Sequence, residues 1–172
     1  MKGKIKFRGD EKSPLFIEKM FSNTVEKLLS DALEERKDLF LIDLTISPDN
    51  KIKIIIDGDE GVSVEDCVFI SRAIEHNLDR EENDFSLQVM SAGASSPLTN
   101  KRQYKKNINR TLKLQTESDK IEGVLTGVTD NDITVEWEAR ELKPVGKGKV
   151  TVNKKATIAY EDIVEAKVMI KF

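Results

Sequence analysis

Apolar positions in the first half of the chain follow two different rhythms. Met20, Phe21, Val25, Leu28, Leu29, Ala32 and Leu33 recur at the i, i+4, i+7, i+8 spacing of one buried helical stripe. Ser13 followed by Pro14 supplies a cap and a first-turn proline, so the helix starts there, and the Glu34-Glu35-Arg36-Lys37-Asp38 cluster ends it. The rhythm then shortens to a period of two. Leu39–Ile46 and Lys51–Asp57 flank Ser47-Pro48-Asp49-Asn50, and in the second run Ile52, Ile54 and Ile56 alternate with Lys51, Lys53 and Ile55. Two such runs across a tight polar turn predict an antiparallel hairpin. Ser63 with Asp66 three residues on resembles a capping start for a helix reaching about Leu78, whose buried face carries Cys67, Ile70, Ile74 and Leu78. Phe85, Leu87 and Val89 then alternate as a third strand. The order helix-strand-strand-helix-strand lays two helices over one face of a small mixed sheet.

A change of texture follows. Ala92–Asn100 is small and polar and contains a proline, the composition of a linker. Beyond it come short strands at Arg110–Glu117, Lys120–Val128, Ile133–Glu138, roughly Lys155–Ala159 and Ile163–Ile170, with Arg140–Asn153 read as a loop. Gly123 and Gly127 within one strand favour strong bending, and five short bent strands suggest a small open barrel. The fold class is therefore α+β in two domains. Residues 1–13 form a flexible basic arm, 14–91 an N-terminal two-layer α/β domain, 92–100 a linker and 101–172 a C-terminal β-barrel domain.

Composition sharpens this picture at two points. With 172 residues, the chain is long enough for two small cores, and its 38% hydrophobic content is too high for a disordered chain. No apolar run approaches the ~18 residues of a membrane span, so neither a span nor a secretory leader is expected. The single cysteine and single histidine exclude an internal disulfide and a Cys/His zinc site, which fits a reducing, cytoplasmic setting. Charge is more informative in its distribution than in its total. Residues 1–12 carry a net +3, residues 13–91 a net −10 and residues 92–172 a net +4. Such asymmetry assigns the two halves different electrostatic tasks.

Candidate chemistry is sparse. Cys67 sits on the buried helical face as a small hydrophobe, and His76, nine positions on, points about half a turn away, so the two make no catalytic pair. Phe69, two residues from Cys67, is expected to face outward on the His76 side. Asp57 and Asp59 at a strand end are a conceivable Mg²⁺ site and the basis of a metal-dependent hydrolase reading, but an Asp/Gly-rich polar turn explains them as well. Pro144–Lys149 lacks the spacing of a phosphate loop. No cofactor is expected. Cations are the stronger signal. Lys101, Arg102, Lys105, Lys106, Arg110 and Lys113 occur without an intervening acid, and Arg140, Lys143, Lys147, Lys149, Lys154 and Lys155 form a second set around Glu141. Clusters of this kind beside a small barrel neutralise phosphates, so they are candidate RNA contacts. Lys101 with Lys105, and Arg102 with Lys106, would sit one helical turn apart.

At the level of motifs the chain resembles the ribosome maturation factor RimP family from about Pro14 onward. Asp57–Arg72 (DGDEGVSVEDCVFISR) matches its pattern in order through the strand-end aspartate, Gly61-Val62, Asp66-Cys67 and Ser71-Arg72. Val89–Leu98 (VMSAGASSPL) is similar to the family's interdomain signature at Ser91, Gly93, Pro97 and Leu98, while Ala92, Ala94, Ser95 and Ser96 replace the usual Pro, Leu, Asp and Arg. Ile121–Trp137 and Tyr160-Glu161-Asp162-Ile163 resemble its second domain. The resemblance implies that the second domain is a Sm-like, SH3-type barrel. It also implies a non-enzymatic assembly factor that binds the immature small ribosomal subunit, assisting ribosomal RNA folding and ribosomal protein incorporation. The expected partners are ribosomal RNA and a basic ribosomal protein, with the chain acting as a monomer; a free-standing Sm-like RNA-binding protein acting on other transcripts is the alternative.

Overall fold

A computed structural model describes residues 14–170. The expected basic arm, residues 1–13, lies outside the described residues. The chain divides into two compact units, the first running through Ser91 and the second starting at Ala92.

In the first unit, helix α1 (Pro14–Glu35) is followed by β1 (Leu39–Ile46), β2 (Lys51–Gly58), α2 (Val64–Glu75) and β3 (Ser86–Ser91). β1 and β2 pair antiparallel around the Ser47–Asn50 turn, where Asn50 takes a φ of 59°, and β2 pairs parallel with β3. The sheet is thus mixed, in the order β1-β2-β3. Ile52, Ile54 and Ile56 point from β2 into a core shared with Phe21, Val25 and Leu29 of α1, Ile70 and Ile74 of α2, and Phe85. Each large side chain buried there contributes about 1.5–3 kcal/mol of transfer free energy.

Three expectations change here. Met20 is 41% exposed, because α1 buries the narrower series Phe21, Val25, Leu29 and Ala32. Phe69 does not face solvent but packs half-buried against the core, with the Arg36 guanidinium 5.8 Å from its ring centroid. α2 packs against the sheet on one side and α1 on the other, so its apolar arc is wider than one stripe. The helix also closes at Glu75 rather than Leu78.

In the second unit, α3 (Lys101–Lys106) precedes β4 (Thr111–Thr116), β5 (Lys120–Val128), β6 (Asp132–Leu142), β7 (Lys149–Ala159), a 3-10 turn (Tyr160–Asp162) and β8 (Ile163–Val168). All pairs are antiparallel in one five-stranded sheet, ordered β7-β6-β5-β4-β8. The β5–β6 register shifts between Leu125 and Gly127, bending the sheet, and at Gly123 a Cβ would stand 2.9 Å from the Glu136 carbonyl oxygen, so only glycine admits that approach. Leu112, Leu114, Leu125, Ile133, Val135 and Ala166 fill the core.

The segment Arg140–Asn153, expected as a loop, is instead mostly paired strand. β6 and β7 stay in register from Asp132↔Ala159 out to Leu142↔Lys149. Past Glu136 the ribbon has no third strand beside it, and from Arg140 to Thr151 its side chains are exposed on both faces, so no buried face marks that stretch as strand. Gly146 (φ 88°) and Gly148 (φ 105°) supply the left-handed turn that closes it.

Candidate nucleic-acid interface

Helix α3 is short, and local bonds hold it in place. The Asn100 side chain accepts from Arg102 N at 2.9 Å, and Gln103 Oε1 accepts from Thr99 N and Asn100 N at 2.8 and 3.1 Å, forming a reciprocal cap. Asn107 Nδ2 donates to the Gln103 carbonyl at 2.7 Å, closing the other end. Gln103, Tyr104 and Asn107 are buried. At about 100° per residue these three share one side, which leaves Lys101, Arg102, Lys105 and Lys106 on the arc opposite. The one-turn spacing of the two cation pairs therefore becomes a single outward cationic face.

Tyr104 anchors that face. Its ring meets Tyr160 edge-on with centroids 5.3 Å apart, and burial pushes its hydroxyl pKa up to about 12. Tyr160 donates its hydroxyl hydrogen to the Thr129 carbonyl at 3.1 Å, tying the 3-10 turn to the β5–β6 turn. Lys101 is committed to the same clamp, since its Nζ donates to the Asp130 carbonyl at 2.6 Å and lies 5.2 Å from the Tyr160 ring centroid. Arg102 and Lys106 are half-buried and each has an interaction within the fold. Lys105 and Arg110 are exposed.

The second cation set is split. Lys154 pairs with Glu141, and Lys155 lies 3.6 Å from Glu136. Lys143, Lys147 and Lys149 instead stand fully outward at the end of the β6–β7 ribbon. Lys113, expected among the free cations, lies 3.7 Å from Glu122 across β4 and β5.

On the first unit the features are acidic. α1 and α2 enclose a groove of about 850 Å³ floored by Leu28, Ala32, Val68 and Phe69 and edged by Asp31, Glu35 and Glu65, with Arg72 and His76 also lining it. Sequence reasoning missed this groove, although Asp31/Glu35 and Val64/Val68 each stand at i, i+4 and could have revealed it. Arg36, next to Glu35, pairs with Asp66 at 2.8 Å while Asp66 accepts from Ser63 N at 2.8 Å. Those two contacts, the Ser63 bond first, hold the Asp66 carboxyl below its ordinary value.

Asp57 is buried and its Oδ1 accepts from Gly58 N at 2.8 Å, closing the strand-end turn on itself. Among the described residues no three His, Cys, Asp or Glu side chains gather to hold a metal ion. Cys67 is half-buried, and desolvation pushes its thiol pKa up, so it is a poor nucleophile at neutral pH. No described helix is long and apolar enough to cross a membrane.

Together these features describe two electrostatically opposed units, one with a clamped cationic helix and a basic ribbon, the other with an acid-edged groove. The RimP N-terminal domain family model matches residues 25–95. A protein of Christiangramia forsetii named Ribosome maturation factor RimP is 60% identical over 153 residues, 89% of this chain and 100% of its own length. Proteins of the same name from Flavobacterium psychrophilum and Porphyromonas gingivalis are 56% and 35% identical, covering 88% and 83% of this chain and 99% and 93% of their own lengths. The chain belongs to the RimP family of ribosome maturation factors.

Proposed function

We propose that the chain acts in ribosome maturation by binding the immature small ribosomal subunit, where it assists ribosomal RNA folding and ribosomal protein incorporation without making or breaking covalent bonds. The observation that carries this reading is the charge division, a net −10 over residues 13–91 against +4 over residues 92–172. The second unit contacts ribosomal RNA through the α3 face (Lys101, Arg102, Lys105, Lys106), Arg110 and the ribbon cations Lys143, Lys147 and Lys149. The first unit takes a basic ribosomal protein, for which the acid-edged groove between α1 and α2 has the complementary charge. Strand order β7-β6-β5-β4-β8 with a 3-10 turn before the last strand supports reading the second unit as a Sm-like barrel domain. Within it α3 is a positioning platform, since the Tyr104–Tyr160–Lys101 clamp fixes where its outward cations stand.

Titrating fluorescently labelled protein with purified small subunits at several salt concentrations tests this. The double substitution Lys105→Glu/Arg110→Glu is expected to weaken binding and to lower the slope of log affinity against log salt by about 1.8, two phosphate contacts at ~0.9 each. Equal affinity and an unchanged slope would overturn the α3 assignment. Failure of the wild-type protein to bind small subunits at all would overturn the reading as a whole.

A further inference from the structure

The ribbon beyond Glu136 has the least evident use within the fold. Trp137–Leu142 and Lys149–Lys154 pair only with each other, extending about 17 Å past the third strand of the sheet, and every residue from Arg140 to Thr151 is exposed. Its cations gather toward the tip. Directly opposed residues share a face, so Arg140 and Lys149 lie on one side at neighbouring pairs, Arg140↔Thr151 and Leu142↔Lys149. Glu141 lies on the other side and is neutralised by Lys154, while exposed Glu138, opposite Asn153, shares the Arg140 face nearer the sheet. Arg140, Lys143, Lys147 and Lys149 have no side-chain hydrogen bond or ion pair with any described residue, in contrast to Lys101, Arg102 and Lys106 of α3. Leu142 and Val145, 76% and 87% exposed, stand among these cations.

Proteins that hold single-stranded RNA stack its bases on exposed aromatic rings. In the described part of the second unit the aromatics are Tyr104, Trp137 and Tyr160. Tyr104 is 4% exposed, and Trp137 and Tyr160 pack half-buried against the core. None of the three is fully exposed. Four unengaged cations, with no fully exposed aromatic among the described residues of this unit, suit an RNA whose bases are already paired and whose phosphates are regularly spaced.

We infer that the end of the β6–β7 ribbon is a grip for duplex RNA, with Arg140, Lys143, Lys147 and Lys149 on phosphates and Leu142 and Val145 against the sugar edges of the shallow groove. The inference rests on the proposal that the second unit contacts RNA and names the class of RNA it takes. It also assigns the larger share of phosphate contact to the ribbon rather than to α3.

Fluorescence anisotropy of the whole chain with two probes tests it: an RNA duplex of about 16 base pairs, and a uridine oligomer of the same length as a single strand. The duplex is expected to bind at least about tenfold more tightly, since the single strand gains no stacked base in exchange for being ordered. Lys143→Glu/Lys147→Glu/Lys149→Glu is expected to lower the salt slope on the duplex by about 2.7. Leu142→Ser/Val145→Ser is expected to weaken duplex binding at every salt concentration and leave the slope unchanged. An unaltered thermal transition shows that each variant remains folded, which the exposure of all five positions favours. Equal or tighter binding of the single strand, or a triple variant with the wild-type slope, would overturn the inference. Small-subunit binding measured alongside separates the two levels: duplex binding through the ribbon without subunit binding removes the proposed function alone, and subunit binding indifferent to the triple variant removes the ribbon contacts while the α3 assignment stands.

Discussion

Replacing Tyr104 by phenylalanine tests the clamp that positions α3, because it deletes one hydroxyl and keeps the ring. Tyr104 is 4% exposed and its pKa stands at about 12 against an ordinary value of 10.0, with desolvation the largest cause. A group whose folded pKa is raised stabilises the fold fully below the unfolded value, and that stability is lost as pH rises through the folded one. Between these limits the unfolded chain releases the Tyr104 proton while the folded chain keeps it. At about pH 11 the loss amounts to roughly 1.4 kcal/mol relative to neutral pH. Tyr104→Phe has no such proton. It is expected to be equal to or slightly less stable than wild type at neutral pH, because a buried hydroxyl is removed, and to gain on wild type by about 1.4 kcal/mol at about pH 11. For a unit of this size that corresponds to roughly 5–10 °C in Tm. Trp137 is the only tryptophan and packs against the core of the same unit, so its fluorescence reads the transition directly. Stability differences that stay constant from pH 7 to 11 would refute the burial argument, and with it the claim that α3 is fastened through Tyr104.

Further consequences concern packing and caps. Gly123→Ala places a methyl 2.9 Å from the Glu136 carbonyl oxygen and is expected to destabilise the second unit by about 1–3 kcal/mol, read by urea denaturation. Ser63→Ala removes the acceptor for Asp66 N and is expected to cost about 1 kcal/mol in the helical transition followed by circular dichroism. Alkylation of Cys67 by iodoacetamide at pH 8 is expected to run slower than that of a free cysteine, because desolvation raises its pKa; an equal rate would contradict that assignment.

Periodicity carried the first unit well because each element has one wet and one dry face. The alternation of Ile52, Ile54 and Ile56, the Ser63/Asp66 cap and the stripe from Phe21 to Ala32 each read directly as structure. Where an element is dry on two sides or on none, the same reasoning fails. Phe69, two residues from Cys67, points away from the buried stripe by helical angle, yet α1 covers that flank of α2. Ribbon residues Arg140–Asn153 read as loop because no core lies beneath them, although Val150 and Val152 alternate with Thr151 and Asn153 there. The cationic sets were legible as composition, but which members remain available was not. Lys101 is held by the Asp130 carbonyl, a residue 29 positions away in sequence, and Lys154 by Glu141 across the ribbon. Such pairings depend on register, which single-residue patterns do not encode.

Association of the protein with the small subunit during assembly is measured most directly by sedimentation of a cell extract through a sucrose gradient. The protein is expected to co-migrate with free small subunits, to be depleted from assembled ribosomes, and to return to the top of the gradient when salt is raised, since phosphate contacts release counterions. Sedimentation at the top at low salt, or spread over other RNA-containing fractions with none at the free small subunit, would contradict the account and favour an RNA-binding protein acting on other transcripts.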